Sequence, residues 1–297
     1  MKEFISKYLH WTLLFSLVLI WGSSFILMKR ALEVYSNTEL GSLRIIFAGI
    51  VLIPFAISRM RGLSRDQWFW IVIVGFIGNT FPAFLFATAQ MGIDSSLAGI
   101  LNSTTPLFAL IVGLIFFNLK ARRLNYIGII LGFIGAVMII VAKNDGQIYI
   151  NMQYSSYVIL ATVFYAFNLN IVKYKLTDTN PITIASVSYV IMLPLISVFL
   201  IVGTDFTNTI LQAGALSYLI YPAVLGIVGS ALAIVMFNYL IKISGVLFTA
   251  SVTYLIPIVA SIIGFIDGEL FKPSFIIWIS MILVGVLFVN KKKALFK

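Results

Sequence analysis

Residues 75–86 read GFIGNTFPAFLF and give the clearest indication of the fold. It returns in outline 151 residues later as GIVGSALAIVMF, residues 226–237, with both glycines, a small polar residue and the last phenylalanine in register. Each stretch lies inside an apolar run long enough to cross a bilayer, which takes about 20 residues. The pattern therefore predicts two related halves within a membrane protein.

Further matches support the duplication. Lys29 and Lys173, each closing the first apolar run of its half, pair at a shorter offset. Three more pairs follow in order, at offsets of 151, 151 and 150 residues: Asn102 with Thr253, Pro106 with Pro257, and Gly135 with Gly285. Apolar sequences produce chance matches, so the prediction depends on the ordered set and not on any single pair.

Composition excludes most classes of soluble protein. Of the 297 residues, 61% are apolar and only 10% are charged, whereas soluble domains average roughly 45–50% and 25%. The net charge of +10 could indicate a nucleic-acid partner, but the basic residues fall in short breaks between apolar runs. We therefore expect the chain to lie in the lipid bilayer and to bind no nucleic acid.

The residues that usually carry chemistry are scarce. The chain has no cysteine, which excludes disulfides, thiolate catalysis and iron–sulfur clusters. Its one histidine, His10, precedes the first apolar run, so a histidine metal site or a Ser–His pair is not expected. The sequence predicts no catalytic residue, no metal and no cofactor, and hence no enzyme.

The predicted fold is an all-α integral membrane protein with ten transmembrane helices. No strong alternation of period two supports a β-barrel. The ten apolar runs are Trp11–Met28, Glu39–Ile57, Gln67–Ala87, Leu97–Phe117, Asn125–Val141, Ser155–Val172, Ile182–Ile201, Tyr218–Leu240, Val246–Phe265 and Ser274–Val289.

Loop charges predict the orientation. Fifteen of the 20 Lys and Arg residues lie on the side that holds both termini and the even-numbered loops, and four lie on the other side. Basic loops stay in the cytoplasm, so both termini are expected there. The first run lacks a cleavage site after it and is expected to remain as a span.

The predicted domains are residues 1–145, with runs 1–5, and residues 146–297, with runs 6–10. A second unit that follows an odd number of spans must insert upside down, which predicts two inverted five-helix repeats. Inverted repeats are typical of transporters that expose a central site to each side in turn.

Ordered motifs along the whole chain carry a family resemblance: Trp21–Phe25 (WGSSF), Leu43-Arg44, Thr105–Leu107 (TPL), Tyr254-Leu255 and Gly268-Glu269. The set resembles the drug/metabolite transporter superfamily and its EamA-type permeases. The resemblance implies a ten-helix inverted-repeat fold and export of small metabolites, often amino acids or related amphipathic compounds. It also implies the cytoplasmic membrane of a bacterium or archaeon.

Candidate cavity residues combine polar groups with aromatic rings. Each has an equally ordinary interpretation as helix packing or as a hydrogen bond between helices. Asn79 and Asn102 precede prolines that free backbone carbonyls, a feature of transporter sites. The full set is Trp21, Ser24, Asn79, Asn102, Tyr165, Asn168, Tyr239 and Tyr254.

Two charges are assigned to gating or structure. Arg44 is the only cation well inside a run, where a charge costs at least about 2.5–3.5 kcal/mol. We interpret it as a lock on helix-end carbonyls, with binding of a substrate carboxylate as the alternative. Glu269 matches a family glutamate at the outer rim, but the first half has Asn118 there, which puts a matched carboxylate pair in doubt.

Other functions and partners stay open. A drug or lipid-linked-sugar exporter of the same fold is the alternative function. An intramembrane lipid-modifying enzyme would need clustered His, Asp or Glu, which the chain lacks. Gly128 and Gly132 form a GxxxG pair that allows close helix packing, within the chain or across a homodimer.

Overall fold

The computed structural model describes residues 2–93, 95–143, 151–266 and 274–290, and these residues form helices and turns without a strand. The prediction of an all-helical chain is confirmed for this part. Glu269 falls outside the described residues, so its predicted role at the outer rim stays a prediction.

Each of the ten predicted runs overlaps helical structure. The helices of the first half are α1 (Lys2–Ala31), α2 (Asn37–Met60), α3 (Arg65–Ile73), α4 (Phe81–Ala89), α5 (Ser95–Asn102), α6 (Thr105–Phe116) and α7 (Arg123–Lys143). Those of the second half are α8 (Met152–Tyr174), α9 (Pro181–Val202), α10 (Phe206–Thr209), α11 (Ala215–Tyr218), α12 (Ile220–Gly226), α13 (Ala233–Ser244), α14 (Val246–Ala250), α15 (Val252–Ile266) and α16 (Ser274–Asn290).

Helix length and composition make this an integral membrane protein. Among the described residues, six helical stretches are long and apolar enough to cross a membrane: Tyr8–Ala31, Asn37–Met60, Arg65–Ala89, Met152–Tyr174, Pro181–Val202 and Ala215–Ser244. Four shorter apolar stretches follow the remaining predicted runs: Thr105–Phe116, Arg123–Met138, Val246–Val259 and Ile276–Val289. The count of ten crossings therefore stays a prediction.

Capping side chains set where the helices begin. Ser36 and Glu39 form a capping box at the start of α2, in which the Ser36 amide donates to the Glu39 carboxylate at 2.8 Å. Ser64 and Gln67 repeat the box at the start of α3. These caps satisfy the first free amides of each helix, so the turns before them are fixed by the local sequence.

The packing of the helices follows the predicted pairing of the two halves. α1 packs against α13 and α15, and α8, its predicted equivalent, packs against α4 and α6. α2 packs along α9, and α7 packs along α16, so each of these pairs joins two predicted equivalents. Exchanging the halves therefore converts one set of contacts into the other.

The glycines of the GxxxG pair are used within the chain. A Cβ added at Gly128 would lie 2.6 Å from the Gly285 carbonyl oxygen, and one added at Gly285 would lie 2.6 Å from the Gly128 carbonyl oxygen. α7 and α16 thus meet backbone to backbone, which only glycine permits. The homodimer stays a prediction, and this glycine face is already covered by α16.

Two kinds of interruption, π-helical segments and breaks, occur in the helices. Gly75 and Gly78 of the opening motif lie on a π-helical segment, Val74–Thr80, and Gly229 of its second copy lies on another, Ile227–Leu232. Each segment joins the α-helices on either side, and Gly226 is the last residue of α12. The fourth run of each half is broken, between Asn102 and Thr105 and between Ala250 and Val252. π-Helical segments and breaks leave backbone carbonyls without helical partners, and such places often mark functional sites.

Polar contacts at the ends of the helices join separate parts of the chain. The Lys242 ammonium donates to the carbonyls of Leu176, Thr177 and Thr179, and the Lys173 ammonium donates back to the Lys242 carbonyl at 3.0 Å. The two lysines thus hold the carboxyl ends of α8 and α13 together.

On the other side of the molecule, the Tyr35 hydroxyl donates to the Ala215 carbonyl at 2.6 Å, which fixes the start of α11 against the turn after α1. Arg30, at the end of α1, donates to Glu33 in that turn at 2.8 Å, and this bond lowers the pKa of the Glu33 carboxyl.

Candidate functional site: a central cavity

A cavity with about 660 Å³ of empty volume is lined by side chains from both halves. The lining is mostly apolar and aromatic, with one cation and a few hydroxyl and amide groups. Its members are Trp21, Ser24, Phe25, Met28, Arg44, Phe86, Asn102, Thr105, Tyr165, Asn168, Ile234, Phe237, Thr253 and Ile256.

A smaller cavity, with about 340 Å³ of empty volume, shares four of these residues. Trp21, Arg44, Tyr165 and Ile234 line both spaces. The smaller cavity also reaches the π-helical segments, and its other members are Ile45, Gly78, Asn79, Ala83, Tyr189, Gly229 and Ser230. Arg44 therefore lies where the two spaces meet.

Two pairs of aromatic rings form the apolar walls. Trp21 meets Phe237 edge to face, with 5.0 Å between ring centroids. Tyr165 stacks on Phe86 at 6.0 Å. The offset between Trp21 and Tyr165 is 144 residues, the offset of Lys29 from Lys173, while Phe86 and Phe237 are 151 apart. The two walls thus pair residues at matching positions of the predicted repeat, one pair edge to face and the other stacked.

Trp21 also explains how α1 contacts the second π-helical segment. Its indole N–H donates to the Gly229 carbonyl at 2.9 Å. A buried backbone carbonyl without a partner is costly, so this bond stabilises the segment in its π-helical form. The bond fixes the ring in position beside the cavity.

Glycines allow polar side chains to approach both π-helical segments. A Cβ added at Gly78 would lie 2.5 Å from the Asn168 carboxamide oxygen, and one at Gly229 would lie 3.3 Å from the Ser24 hydroxyl oxygen. Ser24 and Asn168 are themselves 144 residues apart. The predicted glycine motif thus makes room for cavity residues of the opposite half.

Amides line the broken helix and the smaller cavity. Asn79 donates to the Ser188 hydroxyl at 2.9 Å, and its carboxamide oxygen is buried without a partner. Asn102 is the last residue of α5, and the Thr105 hydroxyl donates to its carbonyl at 2.7 Å. The Ser103 hydroxyl, in the break, donates to the Thr253 carbonyl at 3.2 Å. This bond joins the broken fourth run of one half to that of the other.

Arg44 makes only weak contacts. Its guanidinium lies 3.4 Å from the Met28 sulfur and 3.5 Å from the Ser230 hydroxyl oxygen, and Nε is buried without a partner. The lock interpretation requires carbonyl partners at a helix end, and the guanidinium bonds to none in the described part of the chain. Arg44 instead lines both cavities, and its role as a lock or in binding stays a prediction.

The structure brings most of the sequence candidates together. Trp21, Ser24, Asn102, Tyr165 and Asn168 line the larger cavity, and Asn79 lines the smaller one. Whether any of them binds a substrate stays a prediction.

Two sequence candidates lie elsewhere. Tyr254 is fully buried, and its hydroxyl donates to the Ile129 carbonyl of α7 at 2.8 Å. Tyr239 is 42% exposed on the surface of α13. Both were selected for a hydroxyl within a span, and that feature alone does not show which face of the helix the side chain occupies.

Several lining residues were missed. Phe86, Phe237 and Thr253 appeared in the sequence only as repeat matches, and Ser230 only as part of the glycine motif. The available signal was the predicted repeat, because each of these residues matches a residue at the equivalent position in the other half of the chain. Ile234 and Ile256 carry no signal, because isoleucine is equally ordinary facing lipid.

These features define a helical membrane protein with an internal cavity lined by residues from both predicted halves of the chain. A model of the EamA-like transporter family matches residues 10–141 and again residues 153–291. The chain therefore belongs to the EamA-like transporter family, and the predicted resemblance is confirmed.

Relatives in other organisms support the same assignment. The inner membrane transporter YedA of Escherichia coli (strain K12) is 24% identical over 290 residues, 95% of this chain and 91% of YedA. A chloroplastic WAT1-related protein of Arabidopsis thaliana is 25% identical over 291 residues, 95% of this chain and 70% of that protein.

This chain is also similar to a relative that matches part of its length and to a solved structure. A Salmonella typhimurium protein named a probable amino-acid metabolite efflux pump is 26% identical over 134 residues, 44% of this chain and 42% of that protein. A solved crystal structure, 16% identical, superposes with a TM-score of 0.73 over 94% of this chain and 95% of that one. At that identity the structural likeness supports the fold alone.

Proposed function

We propose that this protein is a secondary transporter that exports small amphipathic metabolites, amino acids or related compounds, by alternating access. The observation that carries the proposal is the larger cavity, which is lined from both halves and combines aromatic walls with Arg44, Asn102 and Asn168. A site at the junction of two repeats can open to either side when one set of helices rocks against the other.

Matched contacts support the architecture that this mechanism needs. The Trp21–Phe237 and Tyr165–Phe86 pairs exchange when the halves are exchanged, and the family model matches the chain in two segments. We propose two inverted five-helix repeats, residues 1–145 and 146–297, with both termini in the cytoplasm. The membrane is the cytoplasmic membrane of a bacterium or archaeon, as the inner membrane relative from Escherichia coli suggests.

The lining supports an amphipathic cargo. Aromatic rings bury an apolar group, and a small number of polar atoms orient it. The name of the Salmonella relative adds amino-acid metabolites as the first compounds to test. Nucleotide sugars would require several cations for their phosphates, and Arg44 is the one cation among the described residues that line the two cavities.

The test is counterflow in proteoliposomes. Vesicles containing the purified protein are loaded with an unlabelled amino-acid mixture, and uptake of each labelled amino acid is followed with and without a pH gradient. Saturable exchange of one class of compound, at least about tenfold slower in Trp21→Ala and Asn102→Ala, is the expected result.

The matched control for Trp21→Ala is Leu19→Ala, on the same helix with its side chain 61% exposed away from the cavity. We expect this variant to transport normally. Loss of activity in both α1 variants would assign the effect to folding. Absence of flux for amino acids, related metabolites and drug-like cations alike would contradict the proposed transport function.

A further inference from the structure

Arg44 lies in a part of the membrane protein where a cation needs a counter-charge. The five N–H donors of its guanidinium are barely used, since a thioether sulfur is a weak acceptor and 3.5 Å is long for a hydrogen bond to a hydroxyl. Nε is buried and makes no hydrogen bond. The guanidinium therefore has unused donors beside an open space.

No carboxylate of the described residues neutralises Arg44. Glu39, the acidic residue on the same helix, accepts from the Ser36 amide at 2.8 Å and from the Thr209 hydroxyl at 2.9 Å, so its oxygens are committed. Within the described residues the only ion pair joins Arg30 and Glu33, at the exposed end of α1 and in the turn after it. An anion that enters the cavity would supply this counter-charge.

The pairing of the halves shows that this charge is specific to one side of the site. Arg44 corresponds to Ser188 at the offset of 144 residues, and Ser230 corresponds to Asn79 at 151. Asn79 and Ser188 close their side with a hydrogen bond of 2.9 Å, whereas Arg44 and Ser230 stay 3.5 Å apart. The site is thus neutral at the first pair and carries a positive charge at the second.

The surroundings indicate what kind of anion fits. The space beside Arg44 is walled by Trp21, Phe25, Phe86, Tyr165 and Phe237, which offer apolar surface and no second cation. A phosphate group would be undercoordinated there. A carboxylate matches the planar fork of one guanidinium with two parallel hydrogen bonds, and the aromatic walls would take an apolar group attached to it.

We propose that Arg44 binds the carboxylate of the transported compound and that the cargo is a small carboxylic acid with an apolar body. This inference rests on the proposed transport function and deepens it. Amino acids with apolar side chains belong to the class, as do the corresponding acids without an amino group. Amides, esters and amines of the same shape do not.

The test compares acids with their own amides. The purified protein in lipid nanodiscs, in chloride-free buffer, is titrated calorimetrically with L-phenylalanine, L-leucine and 3-phenylpropionate, and then with the three carboxamides. We expect at least one acid to bind about tenfold or more tightly than its amide, the loss expected for a charge-assisted hydrogen bond. In Arg44→Gln the preference should disappear, and in Arg44→Lys part of it should remain.

Arg59→Gln is the matched control, because it removes a cation from the exposed end of the same helix, where Arg59 donates only to the Phe55 carbonyl and the Ser58 hydroxyl. It should keep the preference. The wild-type comparison requires no variant, so misfolding of Arg44→Gln would not remove the test. Equal binding of acid and amide, or no binding of any acid, would overturn the proposal.

Counterflow separates this outcome from failure of the proposed function. If vesicles exchange amides, amines or neutral compounds while acids have no advantage, the transporter assignment stands and the role of Arg44 is wrong. If no compound exchanges at all, the transport proposal itself fails.

Discussion

Asn79 and Ser188 form a hydrogen bond of 2.9 Å, and the residues at the exchanged positions, Ser230 and Arg44, meet at 3.5 Å. One contact is neutral, and the other includes a charge with unused donors. The walls around the cavity are built twice from equivalent contacts, so this difference singles out one side of the site.

Replacing Trp21 with phenylalanine should separate its hydrogen bond from its packing. Trp21→Phe keeps an aromatic ring near Phe237 but leaves the Gly229 carbonyl without its donor. We expect the free energy of unfolding to fall by about 1–3 kcal/mol, measured by unfolding in detergent. Trp70→Phe, which loses an exposed bond to Asp66, should cost less than about 1 kcal/mol. Equal costs would contradict the role given to Trp21.

Enlarging the glycine crossing should separate α7 from α16. In Gly128→Ala the new methyl group would meet the Gly285 carbonyl, and we expect a loss of about 1–3 kcal/mol in the free energy of unfolding. Gly99→Ala is the control, since a Cβ at Gly99, inside α5, would meet no atom within 4 Å. That change should be neutral or stabilise by up to about 1 kcal/mol through helix propensity. A harmless Gly128→Ala would show that the two helices are less close than described.

The two lysines should hold the ends of α8 and α13 together. Lys242→Met removes the donor that the carbonyls of Leu176, Thr177 and Thr179 share. We expect faster hydrogen exchange at residues 174–180 and a loss of about 1.5–3 kcal/mol in the free energy of unfolding. Lys175→Met, which removes a cation that lies 5.4 Å from the centre of the Trp70 ring, should leave that exchange unchanged. Identical hydrogen exchange in both variants would contradict the role of Lys242 in holding the ends of α8 and α13 together.

Tyr254 should affect stability and not substrate choice. Tyr254→Phe removes the hydrogen bond to the Ile129 carbonyl and should lower the free energy of unfolding by about 1 kcal/mol. The relative rates of exchange for different labelled compounds should stay as in the wild type, because the side chain packs against Gly132 of α7. A changed order of preferred compounds would return Tyr254 to the site.

Sequence reasoning predicted the helical membrane fold and an interior Arg44, since these depend on hydropathy and on spacing along the chain. The two matched halves stay a prediction. Sequence reasoning could not find the contacts of Arg44 with Ser230 or of Asn79 with Ser188, because these serines lie more than 100 residues away along the chain. It also misplaced Tyr239, which lies 42% exposed. In a membrane both the outer surface and the cavity walls are apolar, so the usual contrast between buried and exposed faces is missing.

The π-helical segments also show what sequence reasoning could and could not predict. The glycine motif was the most regular feature of the sequence, and it marked the right places in both halves. Its function became apparent only in three dimensions, where Gly78 and Gly229 leave room for Asn168 and Ser24. A small residue in a sequence gives the position of a close approach but not the identity of what approaches.

The backbone crossing of Gly128 and Gly285 has a practical consequence for following the transport cycle. Helices in contact through their own backbones cannot slide or tilt past each other without a clash, so α7 and α16 must move as one body. Spin labels on their exposed positions, such as Ile130 and Leu287, should keep a constant separation in every state. That pair would serve as an internal ruler against which the movement of all other helices is measured.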